Sequence, residues 1–167
     1  MRHSSAIVQC FINSDWKDLG LARVAVSRKD GKRFSAAIFL VDLFCLGVKD
    51  IIGRFRSEKE FGFFLKMTYF DGRPEHISFD TARTIILGAV DYAASLGFFP
   101  HADFEEEKGL LGMESPVRAG SVTFGGPNGK PLYVVGPNDS VGRVVKALET
   151  RVGKDGFEVI YPEHVDG

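Results

Sequence analysis

Cysteine is nearly absent from this chain: there are two in 167 residues. A disulfide framework needs several paired half-cystines, so Cys10 and Cys45, each inside an apolar segment, read as reduced core thiols. No Cys-x-x-Cys occurs, and His3, His76 and His164 are scattered, so the spacing supports no structural zinc site. No metal and no cofactor is expected. Long apolar runs are also lacking. The longest, Ala36 to Leu46, is interrupted by Asp42 and is too short to span a bilayer. Met1-Arg2-His3-Ser4-Ser5 leads into an apolar run broken by Gln9 and Asn13, which is not the pattern of a signal peptide. The expectation is a cytoplasmic protein with no membrane segment. An excess of one charge sign is missing too: 21 Lys and Arg stand against 22 Asp and Glu, a net charge of -1. Nonspecific nucleic-acid binding relies on clustered cations that displace counterions, so it is disfavoured, although a local basic patch stays open.

What is present describes an ordinary folded domain. Hydrophobic residues make up 44% and charged residues 26%, which argues against disorder. The length suits one domain, 1–167, able to bury its core without staples. Fifteen Phe against one Trp point to a core of flat rings and to an exposed apolar face.

Along the chain, Ala6 to Asn13 reads as a strand and Ser14 to Asp18 as a polar connection. Leu21 to Arg28 reads as a second strand. Asp30-Gly31 then lies between two apolar runs, a strong hairpin signal because glycine tolerates the positive φ of a tight turn. Phe34 to Phe44 is apolar on both faces and is expected at the centre of the sheet. Val48, Ile51, Ile52 and Phe55 recur at helical spacing, which predicts a short helix over Gly47 to Phe55. Phe61, Phe63, Leu65, Met67 and Tyr69 alternate, which predicts a strand ended by Asp71-Gly72.

Ser78 to Leu96 is the clearest helix. Ala82, Ile85, Ile86, Ala89, Ala93 and Leu96 form one stripe, Ser78 or Asp80 can cap its start, and Gly97 and Pro100 end it. A short helix follows from Asp103 to Leu111, with Glu106 placed for a variant capping box. Ser115 to Gly120 reads as a loop. Val122 to Phe124 and Leu132 to Val135 read as strands joined by a hairpin over Gly125 to Lys130. Gly136 to Asp139 caps a last helix carrying Val141, Val144, Val145, Leu148 and Val152, and Phe157 to Tyr161 is a final strand. The reading is α+β: a mostly antiparallel sheet with two main helices packed on it. The element order also resembles the ribonuclease-H-like plan. Metal-dependent catalysis on that plan needs a carboxylate in the first strand, and Ile7 to Ile12 carries none.

Several polar groups stand out, each beside a plainer explanation. The Gly125 to Lys130 loop lacks the first glycine of a phosphate loop, has Pro131 after the lysine and precedes a strand, so it reads as a turn. Asn138, Asp139 and Ser140 sit where free N–H groups at a helix start could hold an anion, although plain capping also explains them. Asp42 interrupts an apolar strand. A carboxylate there is costly to bury unless it is paired, hydrogen-bonded or at a cleft, and an ion pair with Arg23 or Lys49 is the structural alternative. Cys45 lies between Phe44 and Leu46, a setting for an inert thiol and not for a nucleophile. His101 and Asp103 form a His-x-Asp pair in a loop, a spacing suited to acid–base work or to a plain helix start. The basic residues Arg23, Arg28, Lys29, Lys32 and Arg33 surround the first hairpin and could meet an acidic partner or a nucleic-acid backbone.

The segments Phe39 to Asp50, Gly88 to Ala93, Leu96 to His101 and Gly129 to Asp139 resemble an uncharacterised family of bacterial hypothetical proteins. That resemblance implies a bacterial, cytoplasmic, one-domain protein and brings no catalytic residue with it.

Two functions are therefore expected in order. The first is a binding module that docks a partner protein or a nucleic acid, with homo-oligomer formation open. The second is a hydrolase acting on a phosphodiester or similar bond, with Asp42, Lys49, Asp50, His101 and Asp103 around one cleft.

Overall fold

The Asp30-Gly31 turn organises the sheet. A computed structural model describes residues 6–69, 74–112 and 122–162. In it Gly31 takes φ 59°, and β2 (Leu21–Asp30) folds back on β3 (Arg33–Asp42) in register from Asp30–Arg33 to Leu21–Asp42. With β1 (Ile7–Asn13), β4 (Gly47–Phe55) and β5 (Pro74–Ile77), these strands form an antiparallel sheet of order β4-β3-β2-β1-β5. β2 holds the middle and β3 lies beside it, paired on both sides. A short α1 (Trp16–Leu19) fills the expected polar connection.

Each face of the sheet has its own core. On one face Val24, Val26, Phe39 and Val41 pack under α3 (Phe79–Ser95) through Ala82, Ile85, Ile86 and Ala89. On the other face Ala25, Ala36, Ile38 and Phe55 pack against Phe61 of α2 (Glu58–Thr68). α3 begins as expected: the Ser78 hydroxyl accepts the Thr81 N–H at 3.0 Å. Its end folds back, with the Phe98 N–H donating to Ala93 O at 2.9 Å. A short α4 (Phe104–Glu107) and a 3-10 turn (Lys108–Leu111) follow. Then come β6 (Leu132–Val134), α5 (Val141–Val152) and β7 (Glu158–Ile160). β6 and β7 pair in parallel as a separate two-stranded sheet, with α5 as their connection. Cys45, Leu96, Tyr133 and Leu148 form the cluster that seats this unit against the end of α3.

Several expectations are corrected. Gly47–Phe55 is a strand, not a helix. Val48 and Ile51 both enter the main core although three residues apart, because the β3–β4 register shifts between Ile38 and Phe39 and again between Leu40 and Val41. Phe61 to Tyr69 is helix, not strand, through Thr68. Ser57-x-x-Glu60 supplies its start, the Ser57 hydroxyl accepting the Glu60 N–H at 3.3 Å. The alternation that suggested a strand arises because two sides of this helix are apolar. Residues 122–124 form no strand, and no hairpin follows them. The Gly125 N–H instead donates to Leu43 O, and the Leu132 N–H to Phe44 O. The ribonuclease-H-like order is not reproduced, since β1's second neighbour runs antiparallel to it and β6 and β7 stand apart. The Asp71-Gly72 turn and the Ser115 to Gly120 loop lie outside the described residues.

Beyond α2, the Tyr69 hydroxyl donates to the Arg23 carbonyl at 2.6 Å, a buried link back to the sheet. Tyr69→Phe is expected to lower stability by about 1 kcal/mol in urea denaturation, because the Arg23 carbonyl loses its side-chain donor. An unchanged midpoint would show that this bond does not help hold the helix down.

Candidate functional site

The hydrogen bonds of β3 and β4 decide what Asp42 can do. Asp42 ends β3 and is 8% exposed. One carboxylate oxygen accepts the Phe44 N–H at 3.0 Å and the other accepts the Leu46 N–H at 3.0 Å. Burial pushes its carboxyl up to about 6, against the pull of those N–H groups and of the Lys49 charge. The expected Arg23 partner is not among its contacts. Arg23 is held through its own backbone, its N–H donating to Asn13 Oδ1 at 2.7 Å. Asp42 thus shapes the β3–β4 connection. Cys45, in that connection, is fully buried, and burial raises its thiol to about 12, with Asp42 adding to the rise. It is an inert core thiol, as is Cys10, which burial also raises to about 12.

β4 carries Lys49 and Asp50 towards the loop after α3. The His101 N–H donates to Val48 O at 3.0 Å, which pins that loop to β4. His101 Nδ1 accepts the Asp103 N–H at 3.2 Å. That leaves Nε2 facing Asp50 at 3.8 Å, too far for a hydrogen bond. Asp103 does not cap the helix after it. Its carboxylate lies 2.6 Å from Arg54 Nη2, and Arg54 also reaches Glu106 at 2.6 Å and the buried Glu107 at 3.7 Å. This Arg54 cluster gave no sequence signal, because β4 was expected to be helical.

The β6–α5 turn is built by Asp139. Its Oδ2 accepts the Gly136 N–H at 2.7 Å and the Tyr133 hydroxyl at 3.0 Å, and Lys49 Nζ lies 3.9 Å away. Burial, and then the hydrogen bond to Asp139, raise the Tyr133 hydroxyl well above its ordinary range. Ser140 occupies the N-cap of α5 without a side-chain bond, and Asn138 is exposed. The expected capping by Asn138 or Asp139 is therefore replaced: Asp139 bonds backward to Gly136 and Tyr133, placing its own negative charge where an anion was expected.

Five candidate catalytic residues are thus brought together only in part. Lys49 and His101 line one cavity of about 550 Å³, whose third basic residue is Arg143 of α5. Asp50 and Asp103 flank His101, and Asp42 is buried behind with both oxygens engaged. Among the described residues, no three His, Cys, Asp or Glu side chains gather where they could hold one metal ion.

A second region needs no titratable group. On α2, Phe61 is buried against the sheet and Leu65 packs beside it, while Phe63, Phe64 and Met67 are 63%, 49% and 60% exposed. The Phe64 ring leans on Phe55 at 5.0 Å and meets Phe63 edge-on at 6.0 Å. Glu58, Lys59, Glu60 and Lys66 surround this apolar side with both charge signs. Among the described residues, no helix is long and apolar enough to cross a membrane.

Neither the protein-family models, nor the curated proteins, nor the solved structures contain a match to this chain.

Proposed function

We propose that this chain is a protein-docking domain and that its contact surface is the outer side of α2. The observation that carries this is the composition of one helix. A helix that is apolar on opposite sides is ordinarily buried on both. α2 buries Phe61 against the sheet, yet it presents Phe63, Phe64 and Met67 outward. Those side chains sit side by side at helical spacing, where a groove or a second helix can take them as anchors. The mixed charges around them favour a protein over a nucleic acid, because among the described residues of α2 Glu58 and Glu60 stand beside Lys59 and Lys66, which is not a cationic stripe that could follow phosphates. The hydrolase reading is less well supported, since it needs Asp42 available for chemistry and both its oxygens hold backbone N–H groups.

The test is the double variant Phe63→Ser/Met67→Ser, compared with wild type in capture from an extract of the source cells and in sedimentation. A partner, or a second copy of the chain, is expected to bind wild type and to be lost from the variant. Stability is expected to stay within about 0.5 kcal/mol, because both side chains are exposed. A partner retained at full strength by a folded double variant would contradict the proposal.

A further inference from the structure

We propose that the cavity between β4, the loop after α3 and α5 is a binding site for a phosphate carried on a flat heterocyclic ring. It is separate from the α2 surface and does not depend on it. The cavity, about 550 Å³, is of a size that holds small ligands. Among the described residues that line it, the ionisable ones are all basic: Lys49, His101 and Arg143. No Asp or Glu is among them. The nearby carboxylates are directed elsewhere. Asp139 holds the Gly136 N–H and the Tyr133 hydroxyl at distances well inside its 3.9 Å from Lys49, and Asp103 is held by Arg54. Asp50 and Asp103 nevertheless lie near His101, at 3.8 Å and 3.7 Å, and temper its side of the cavity. Arg143 is exposed, and its side chain makes no hydrogen bond or ion pair among the described residues, so its guanidinium is free to meet an anion. Arg151 lies across Gly97, which also lines the cavity, and adds a further guanidinium at the edge.

The rest of the wall is apolar, formed by Val48, Phe98, Val144 and Ala147 among others. At the rim stands Phe99, 85% exposed, the most exposed large hydrophobic side chain among the described residues. A free ring beside converging cations is the arrangement that stacks a flat ring and holds its phosphate. A bare inorganic anion would use the cations and leave Phe99 without a role, which is why a ring-borne phosphate fits the cavity better.

The proposal is tested by calorimetric titration of the full chain at low ionic strength. The probes are AMP, UMP and flavin mononucleotide, then the same molecules without phosphate, inorganic phosphate alone, and a short single-stranded oligonucleotide. At least one phosphorylated probe is expected to bind with Kd below ~1 mM, its dephosphorylated form at least about tenfold more weakly. Arg143→Gln and Phe99→Ala, both exposed positions, are each expected to weaken binding about tenfold. Phe63→Ser/Met67→Ser on α2 is expected to leave it unchanged, so this site and the docking surface fail or stand separately. An oligonucleotide that binds more tightly than any mononucleotide, with the same dependence on Arg143 and Phe99, would place the phosphate in a polymer. A preference for the mononucleotide would place it in a free metabolite. The proposal is overturned if no phosphorylated probe binds, if the phosphate makes no difference, or if both cavity variants bind like wild type.

Discussion

Gly47→Ala is expected to destabilise the domain by about 3 kcal/mol, whereas Gly31→Ala lowers stability by only about 1 kcal/mol. Both glycines have left-handed backbone, φ 72° and φ 59°, so both substitutions meet the same backbone penalty. They differ in the space around them. A Cβ at Gly31 would meet nothing within 4 Å, because the hairpin tip is open. A Cβ at Gly47 would lie 2.8 Å from the Ala93 Cβ and 3.0 Å from the Ala89 carbonyl oxygen of α3. The carbonyl belongs to a helix backbone and cannot swing aside, so β4 or α3 must shift. Urea denaturation of the two variants checks this. Equal losses would mean that α3 does not approach the start of β4 as closely as described. The point bears on the proposed ligand site, because Val48 and Lys49 follow Gly47 directly and the cavity depends on where β4 begins.

The pH dependence of stability is the second large effect. The Asp42 carboxyl is raised to about 6, mainly by burial, from an ordinary value of 3.8. The folded state therefore keeps this proton to higher pH than the unfolded chain does. The group's contribution is fully present below about pH 4, is lost as pH rises through 6, and is flat above. Over that window wild type is expected to lose about 3 kcal/mol that Asp42→Asn does not lose. Denaturation of both proteins at pH 4, 5, 6 and 7 measures it, and the stability of wild type minus that of the variant should fall as pH rises to 6 and then level off. A difference that grew with pH would mean that the Phe44 and Leu46 N–H groups outweigh burial and hold the carboxylate ionised.

The parts of this fold that follow local rules were legible in the residues. Asp30-Gly31 marks a hairpin because few residue pairs tolerate that turn, and α3 announces itself by its stripe, its Ser78 cap and its stop at Gly97. Two elements were misread for physical reasons. β4 carries register shifts, which put Val48 and Ile51 on one face three residues apart and imitate a helix. α2 is apolar on two sides, which imitates the alternation of a strand, and the Ser57-x-x-Glu60 cap was the signal that could have corrected it. The same two-sidedness carries the proposed docking surface, so the misreading and the proposal have one cause. The cavity was half legible. The sequence singles out His101 through its His-x-Asp pair with Asp103 and Lys49 as a partner for Asp42, and the Asp42 oxygens accept the N–H groups of Phe44 and Leu46. Arg143 carried no local mark, since a basic residue on an exposed helix position is ordinary, and only the seating of α5 through Leu148 brings it to Lys49.

A photo-cross-linking residue placed at position 63 probes the outer side of α2 directly. The matched control places it at Asp91, an exposed position on α3. In source cells a discrete adduct is expected from position 63, none from position 91, and its loss when Met67→Ser is added. No adduct from position 63, or the same adduct from both positions, would contradict the docking role assigned to this helix.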